Sequence, residues 1–363
     1  MLTSKRITRE RFVYLDFIKV LAIYLVCLYH YNSFNINFLE DSSKLTYISY
    51  FIKGIASTGV PLFFMVNGAL MLNRKYDLKK HTKKTINIIV LTIVWGIISL
   101  IILSPIKGKS YTLPQFINAL WWWELGTINH LWFLQALVCV YLLYPLIKEI
   151  YDKEDKSILK YFLGIAFIFT FGNVILNDIL NITYGILGIN RVNLFNNFNV
   201  FRGFYGYTIV YFILGAIILE KLRNNTKVNL KVMSALFFVG MTTLFLYGIM
   251  MSKLSSQVYD TVWNGYDTIM TLVICISIFG LSFLCKDKFN KYEKMIQIIG
   301  ENTLGIYFIH RFVGEVLRPY YATLPFYRDV LPNILFGLIV MFVSLGITLI
   351  LKKVPLINRL FKI

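Results

Sequence analysis

Apolar runs of roughly 18–22 residues recur from one end of this chain to the other, each long enough to cross a hydrocarbon core of ~30 Å. Hydrocarbon offers the backbone no partners, so runs of this kind are expected to be helices that satisfy their own hydrogen bonds. They fall near residues 12–31, 50–72, 86–104, 130–147, 161–179, 204–219, 232–251, 266–285, 303–317 and 332–351. No stretch between them is long enough for a separate soluble domain. The expected architecture is all-α: a polytopic membrane bundle of about ten transmembrane helices, one domain over residues 1–363. Only 15% of residues are charged against 57% hydrophobic, too few to cover a soluble domain of 363 residues.

A net charge of +18 would point to nucleic acid on a soluble fold. Here the positions of the charges decide. With the N-terminus placed in the cytoplasm, 26 of the 37 Lys and Arg fall in inner segments, 8 in outer loops and 3 (Lys19, Lys53, Arg311) inside spans. Every inner segment is richer than the outer loops beside it, which predicts both termini on the cytoplasmic side of the cell membrane. The basicity is then topology, and nucleic acid is not an expected partner; the bilayer is. Cys27, Cys139, Cys275 and Cys285 lie in or at the end of spans without CxxC spacing, as small packed thiols do. The basic start and first apolar run resemble a signal, but that run is span-length and carries Asp16 and Lys19, so it is read as the first helix. Trp121-Trp-Trp123 and Trp132 stand where the fourth span enters from outside; an interfacial belt and a substrate platform explain them equally well.

Charges inside a span demand a partner or a task. Asp16 and Lys19 are three residues apart and share a helix face, so a local ion pair is one account of both. His30 follows Lys19 by eleven residues, close to three whole turns, which puts both on one stripe with a rise of roughly 16 Å between them. Taken from the residues at which the spans begin, two layers are expected: an inner one of Asp16, Lys19, His310 and Arg311, and an outer one of His30, His130, Asn129 and Trp132. His81, in the basic segment 74–84, is most simply solvated. Ser57-Thr-Gly-Val-Pro61 and Asn67-Gly68 predict a kink or a close helix contact in the second run. There is no Walker loop, no GxSxG and no HExxH, and no histidine pair has metal-ligand spacing, so no metal or permanently bound cofactor is expected.

Four segments in order resemble the acyltransferase family 3 integral membrane proteins over essentially the whole length. They are Leu15-Asp-Phe-Ile-Lys19 with ten residues before His30, Gly59-Val-Pro-Leu-Phe-Phe-Met65, His130-Leu-Trp-Phe133 leading to Tyr144-Pro-Leu-Ile147, and Thr303-Leu-Gly-Ile-Tyr307 up to His310. The branch containing the enterobacterial common antigen O-acetyltransferase is nearest in pattern. The resemblance implies transfer of an acyl group, usually acetyl from cytoplasmic acetyl-CoA, to a hydroxyl of a cell-surface glycan or its lipid-linked precursor. It implies catalytic roles for His30, Lys19 and Asp16, with His310, Arg311, His130, Trp132 and Asn129 binding acyl donor or acceptor. Where the family commonly has Ser-Gly this chain has Asn67-Gly68, and Asn67 is given no catalytic role. Buried charges on many spans also suit an exporter of a surface polysaccharide, the competing expectation.

Overall fold

The computed structural model describes residues 11–122, 127–187, 198–201, 205–224 and 227–361. Among these there is no strand. The helices that matter here are α1 (Val13–His30), α2 (Lys44–Gly54), α3 (Gly59–Leu72), α4 (Leu78–Ile106), α5 (Leu113–Trp122), α6 (Trp132–Asp152), α7 (Ser157–Phe167) and α8 (Asn173–Leu187). The second half adds α9 (Tyr207–Arg223), α10 (Leu230–Ser255), α11 (Ile269–Leu284), α12 (Glu293–Glu301), α13 (Thr303–Tyr321) and α14 (Val330–Leu351). Every apolar run of the sequence coincides with helix. Seven spans among the described residues are long and apolar enough to cross a membrane, and an eighth if Ile269–Leu284 and Lys286–Glu301, bent by 68°, count as one. The runs in α9 and α13 are shorter or more polar: α9 has 17 residues, and α13 carries Arg311, Glu315 and Arg318.

The helices start where side chains replace missing backbone acceptors. Ser43 accepts from the Thr46 amide, Asp77 from Lys80, Asn229 from Lys231 and Val232, and Thr268 from Thr271. Asp77 explains why α4 begins eight residues before its apolar run. The basic segment 74–84 is therefore largely helical, and one face of it packs on α6. His81 accordingly is not solvated, contrary to the sequence expectation: it is buried, with Nε2 2.7 Å from the Tyr141 carbonyl oxygen.

The bundle turns large apolar side chains outward and keeps polar ones within an otherwise apolar core. Ile101, Leu142, Phe238, Leu246, Ile339 and Ile350 point outward, while Ser277, Asn333, Ser344, Thr348 and His310 are buried. Lipid tails are as apolar as leucine, so what holds such helices together is close packing and inward hydrogen bonding. The tightest case joins α3 to α9. A Cβ on Gly68 would lie 1.7 Å from the Phe212 carbonyl oxygen, and one on Gly215 would lie 2.0 Å from that of Met65. The Gly expected to mark a close contact does so, reciprocally. The second run is broken as well, by a 3₁₀ turn at Ile55–Thr58 between α2 and α3. Pro61 falls in the first turn of α3, where its lack of an N–H costs nothing, and Ser57 accepts a 3.1 Å hydrogen bond from the Thr271 hydroxyl.

At the centre stands α1, in contact with α3, α11, α12, α13 and α14. Whatever lies along its polar stripe therefore faces protein, not lipid.

Candidate functional site

At the N-terminal end of α1, Asp16 holds two cations. Lys19 Nζ lies 2.5 Å from Oδ1 and Arg11 Nε 2.6 Å from Oδ2, while Arg11 also reaches Glu301. The expected i,i+3 pair is present. It does not take Lys19 out of use, because Lys19 also lines a cavity of about 180 Å³ with Asn67, Lys84, Tyr141, Thr303 and Tyr307. Asn67 is fixed there by two bonds: its amide donates to the Phe63 carbonyl at 2.9 Å and its oxygen accepts from the Tyr141 hydroxyl at 3.3 Å. Lys84 sits 5.4 Å from the Tyr141 ring centroid, a cation over a π face. This chamber offers two ammonium groups and several neutral hydrogen-bonding groups.

At the other end of α1 three imidazoles converge. The ring centroids of His30 and His310 are 5.4 Å apart, and those of His130 and His310 6.1 Å. Arg311 Nη1 approaches His30 Nδ1 at 3.5 Å, the long limit of a hydrogen bond, and its Nη2 lies 3.3 Å from Glu315. Glu315 in turn pairs with Lys107 at 3.2 Å. Burial, and then the nearby Arg311, hold Lys107 below the ordinary lysine value, with Glu315 pulling the other way. Tyr31 ties the cluster down by donating to the Arg311 carbonyl at 2.8 Å. The tautomer of His310 follows from its partners: Nδ1 lies 2.5 Å from the Tyr307 carbonyl oxygen and must donate, which leaves the lone pair on Nε2. That atom and both ring nitrogens of His130 are buried and have no hydrogen-bond partner among the described residues. Buried polar atoms are normally paired, so three unpaired imidazole nitrogens in one cluster mark a place built for something other than packing.

His30 and His130 face a small chamber of about 30 Å³ whose walls include Tyr29, Trp132, Trp263 and Tyr266. Trp132 and Trp263 meet edge to face with centroids 5.2 Å apart, and Trp263 is half-exposed. Tyr29 donates to Asp260 at 2.9 Å, and Lys53 stands 3.8 Å from the same carboxylate. Asn129, partly exposed, opens the 3₁₀ turn that delivers His130.

The two-layer expectation needs one correction. His310 and Arg311 do not lie with Lys19; they lie with His30 and His130. The expected depth takes Thr303 as the start of the span. In fact α12 precedes it, and a Cβ on its Gly300 would lie 3.1 Å from that of Asp16. Ten residues separate Gly300 from His310, a rise of roughly 15 Å, which carries His310 to the far end of α1.

Sequence reasoning placed His30, His130, Trp132, Lys19 and Asp16 where the structure has them. It missed Lys84, Tyr141, Lys107 and Glu315, and it singled out Asn67 without foreseeing that it lines the Lys19 chamber. Only Glu315 had a local signal, since it stands four residues after Arg311 on one helix face. The others reach the site from distant helices. Trp123 and residues 188–197 and 202–204 lie outside the described residues. The four cysteines are free, Cys27 and Cys275 fully buried.

A family model described as an acyltransferase domain matches residues 12–353. No curated protein and no solved structure matches the chain.

Proposed function

The chain belongs to the acyltransferase 3 family, and from that membership we propose that it moves an acetyl group from cytoplasmic acetyl-CoA to a hydroxyl of a cell-surface glycan or its lipid-linked precursor. In this reading the helices span the cell membrane about ten times with both termini inside, an orientation that the lysine and arginine distribution supports. The end of α1 bearing Lys19 then faces the cytoplasm, and the end bearing His30 faces out.

The observation that carries the proposal is the convergence of His30, His130, His310 and Arg311 on the central helix, directly above a cationic chamber lined by Lys19 and Lys84. Acetyl-CoA brings phosphates and a pantetheine arm rich in amides. Two ammonium groups, Asn67 and Tyr141 suit both, and Asp16 holds Lys19 in place while leaving it open to the chamber. On the outer side an acceptor hydroxyl meets His30. The hydroxyl oxygen attacks the thioester carbonyl as the imidazole takes its proton; the C–S bond then breaks, and the proton passes to the departing thiolate, giving the ester and free CoA. Arg311, between His30 and Glu315, supplies positive charge for the carbonyl oxygen as it becomes anionic. His310 and His130 position the reacting groups. Trp132 and the half-exposed Trp263 offer flat apolar faces beside Asn129 and Asp260, the mixture of stacking and hydrogen bonding that a sugar ring uses.

The test is transfer of label from acetyl-CoA to the glycan fraction of membranes containing the chain. His30→Ala is expected to lower transfer by about 10²–10⁴-fold, the usual worth of a positioned acid–base group. Lys19→Ala is expected to weaken acetyl-CoA binding. Normal transfer by both variants overturns the assignment. A glycan that reaches the surface only with this protein, in a membrane where acetyl-CoA is neither bound nor consumed, would instead favour export.

A further inference from the structure

The chamber at Lys19 and the chamber at His30 share three wall residues: Phe63, Phe133 and Tyr307. These rings touch in a row, with centroids 5.7 Å apart for Phe63 and Phe133 and 5.4 Å for Phe133 and Tyr307. All three are buried. The partition between the two sides of the molecule is thus one aromatic ring thick. Its members are not held alike. Tyr307 is anchored by its hydroxyl, which donates to the His130 carbonyl, whereas the phenyl rings of Phe63 and Phe133 carry no polar atom that could anchor them. A ring without a polar anchor turns at the cost of packing alone.

Resting on the acetyl-transfer reading, we infer that Phe63 and Phe133 form the passage through which the acyl end of the donor enters the His30 chamber, and that this passage and chamber set the acyl length. The rise of roughly 16 Å from Lys19 to His30 is then covered by the pantetheine arm standing in the lower chamber, with only its thioester end crossing the partition. The chamber beyond holds about 30 Å³. A space this small, walled by rings, takes a short acyl group, and each methylene beyond acetyl presses on Phe63, Phe133 or the Trp132 wall. Chain length is thereby selected by volume, while the charge of the donor is read separately at Lys19 and Lys84.

The experiment compares labelled acetyl-, propionyl- and butyryl-CoA as donors to the glycan fraction of membranes carrying the full chain, with acetyl-CoA binding to the purified protein measured in parallel. Wild type is expected to use acetyl over butyryl by at least about tenfold, the scale on which pockets discriminate methylenes. Phe63→Ala and Phe133→Ala are expected to bring that ratio down to about threefold or less. Phe133→Trp, which thickens the partition, is expected to cut acetyl transfer about tenfold or more with acetyl-CoA binding within about twofold of wild type. Phe133→Leu, removing part of the ring, carries the widening test if the alanine variants fail to fold. Widened variants that bind acetyl-CoA yet keep the wild-type preference overturn the inference, as does unimpaired transfer by Phe133→Trp. Wild-type membranes that transfer no acetyl at all overturn the underlying reading, and this inference with it.

Discussion

Asp16 serves two cations at once, and that arrangement has consequences for each of them. Its side chain is 7% exposed and bonds Lys19 through one oxygen and Arg11 through the other. In Asp16→Asn the amide oxygen can still accept from one cation, but both lose the Asp16 counter-charge and one loses its bond as well. Loss of one charge-assisted bond predicts a destabilisation of about 2 kcal/mol, read as a lowered midpoint of thermal unfolding in detergent. A variant that unfolds with the wild-type midpoint would show the pair to be incidental. Arg311 poses a different question, because its fork reaches both His30 and Glu315. Lysine keeps the charge and cannot keep both contacts, so Arg311→Lys is expected to lower acetyl transfer by about 10–100-fold with little change in acetyl-CoA binding. Equal losses in binding and transfer would move Arg311 to the donor side of the site.

Helix contacts determine which of these residues meet. The approach of α3 to α9 is close enough that Gly68→Ala places a methyl inside the van der Waals radius of the Phe212 carbonyl oxygen. Overpacking of this kind costs about 1–3 kcal/mol or more, and here it would also shift Phe63 and Asn67, which ride on the same helix. Gly68→Ala is therefore expected to reduce the yield of folded protein on size-exclusion chromatography, and a normal profile would contradict the packing described. At this scale the sequence was informative in one direction only. Helical phase put Lys19 and His30 on one stripe, and that stripe does face the bundle interior. Depth across helices was less legible. His310 was misplaced because α12, a nine-residue lead-in, could not be told from loop by its charges. Lys84 and Tyr141 were invisible for a related reason: nothing local says that the basic turn of α4 packs against α6. The same contact buries His81, which its basic surroundings in sequence would leave solvated.

For the molecule as a whole, the two ends of α1 differ in chemistry, and the proposed orientation gives that difference a meaning. Lys19, Lys84, Arg11, Lys148 and Lys352 gather at one end; His30, Tyr29, Trp132 and Trp263 gather at the other. A cysteine at exposed Ser42, in a background with the four native cysteines replaced by alanine, is expected to react with a membrane-impermeant maleimide on intact cells. A cysteine at exposed Lys288 is expected to react only after the cells are opened. The reverse pattern would put the cationic chamber outside, away from any cytoplasmic thioester, and would defeat the proposed direction of transfer. The helical bundle is legible in span length and hydropathy, and the family in the four segments that resemble it, because span length and motif order are properties of the chain itself. The partition between the chambers was not, since Phe63, Phe133 and Tyr307 come from three helices and look in sequence like ordinary core.

The central claim is that an acetyl group crosses from a donor at the Lys19 end to an acceptor at the His30 end. Sealed membrane vesicles with the cytoplasmic face outward, supplied externally with labelled acetyl-CoA, test it most directly. The account predicts ester label on glycan inside the vesicle lumen for wild type, and about a hundredfold less for His30→Ala despite retained acetyl-CoA binding. Lumenal label that is undiminished in His30→Ala, or label confined to the outward face, would contradict it.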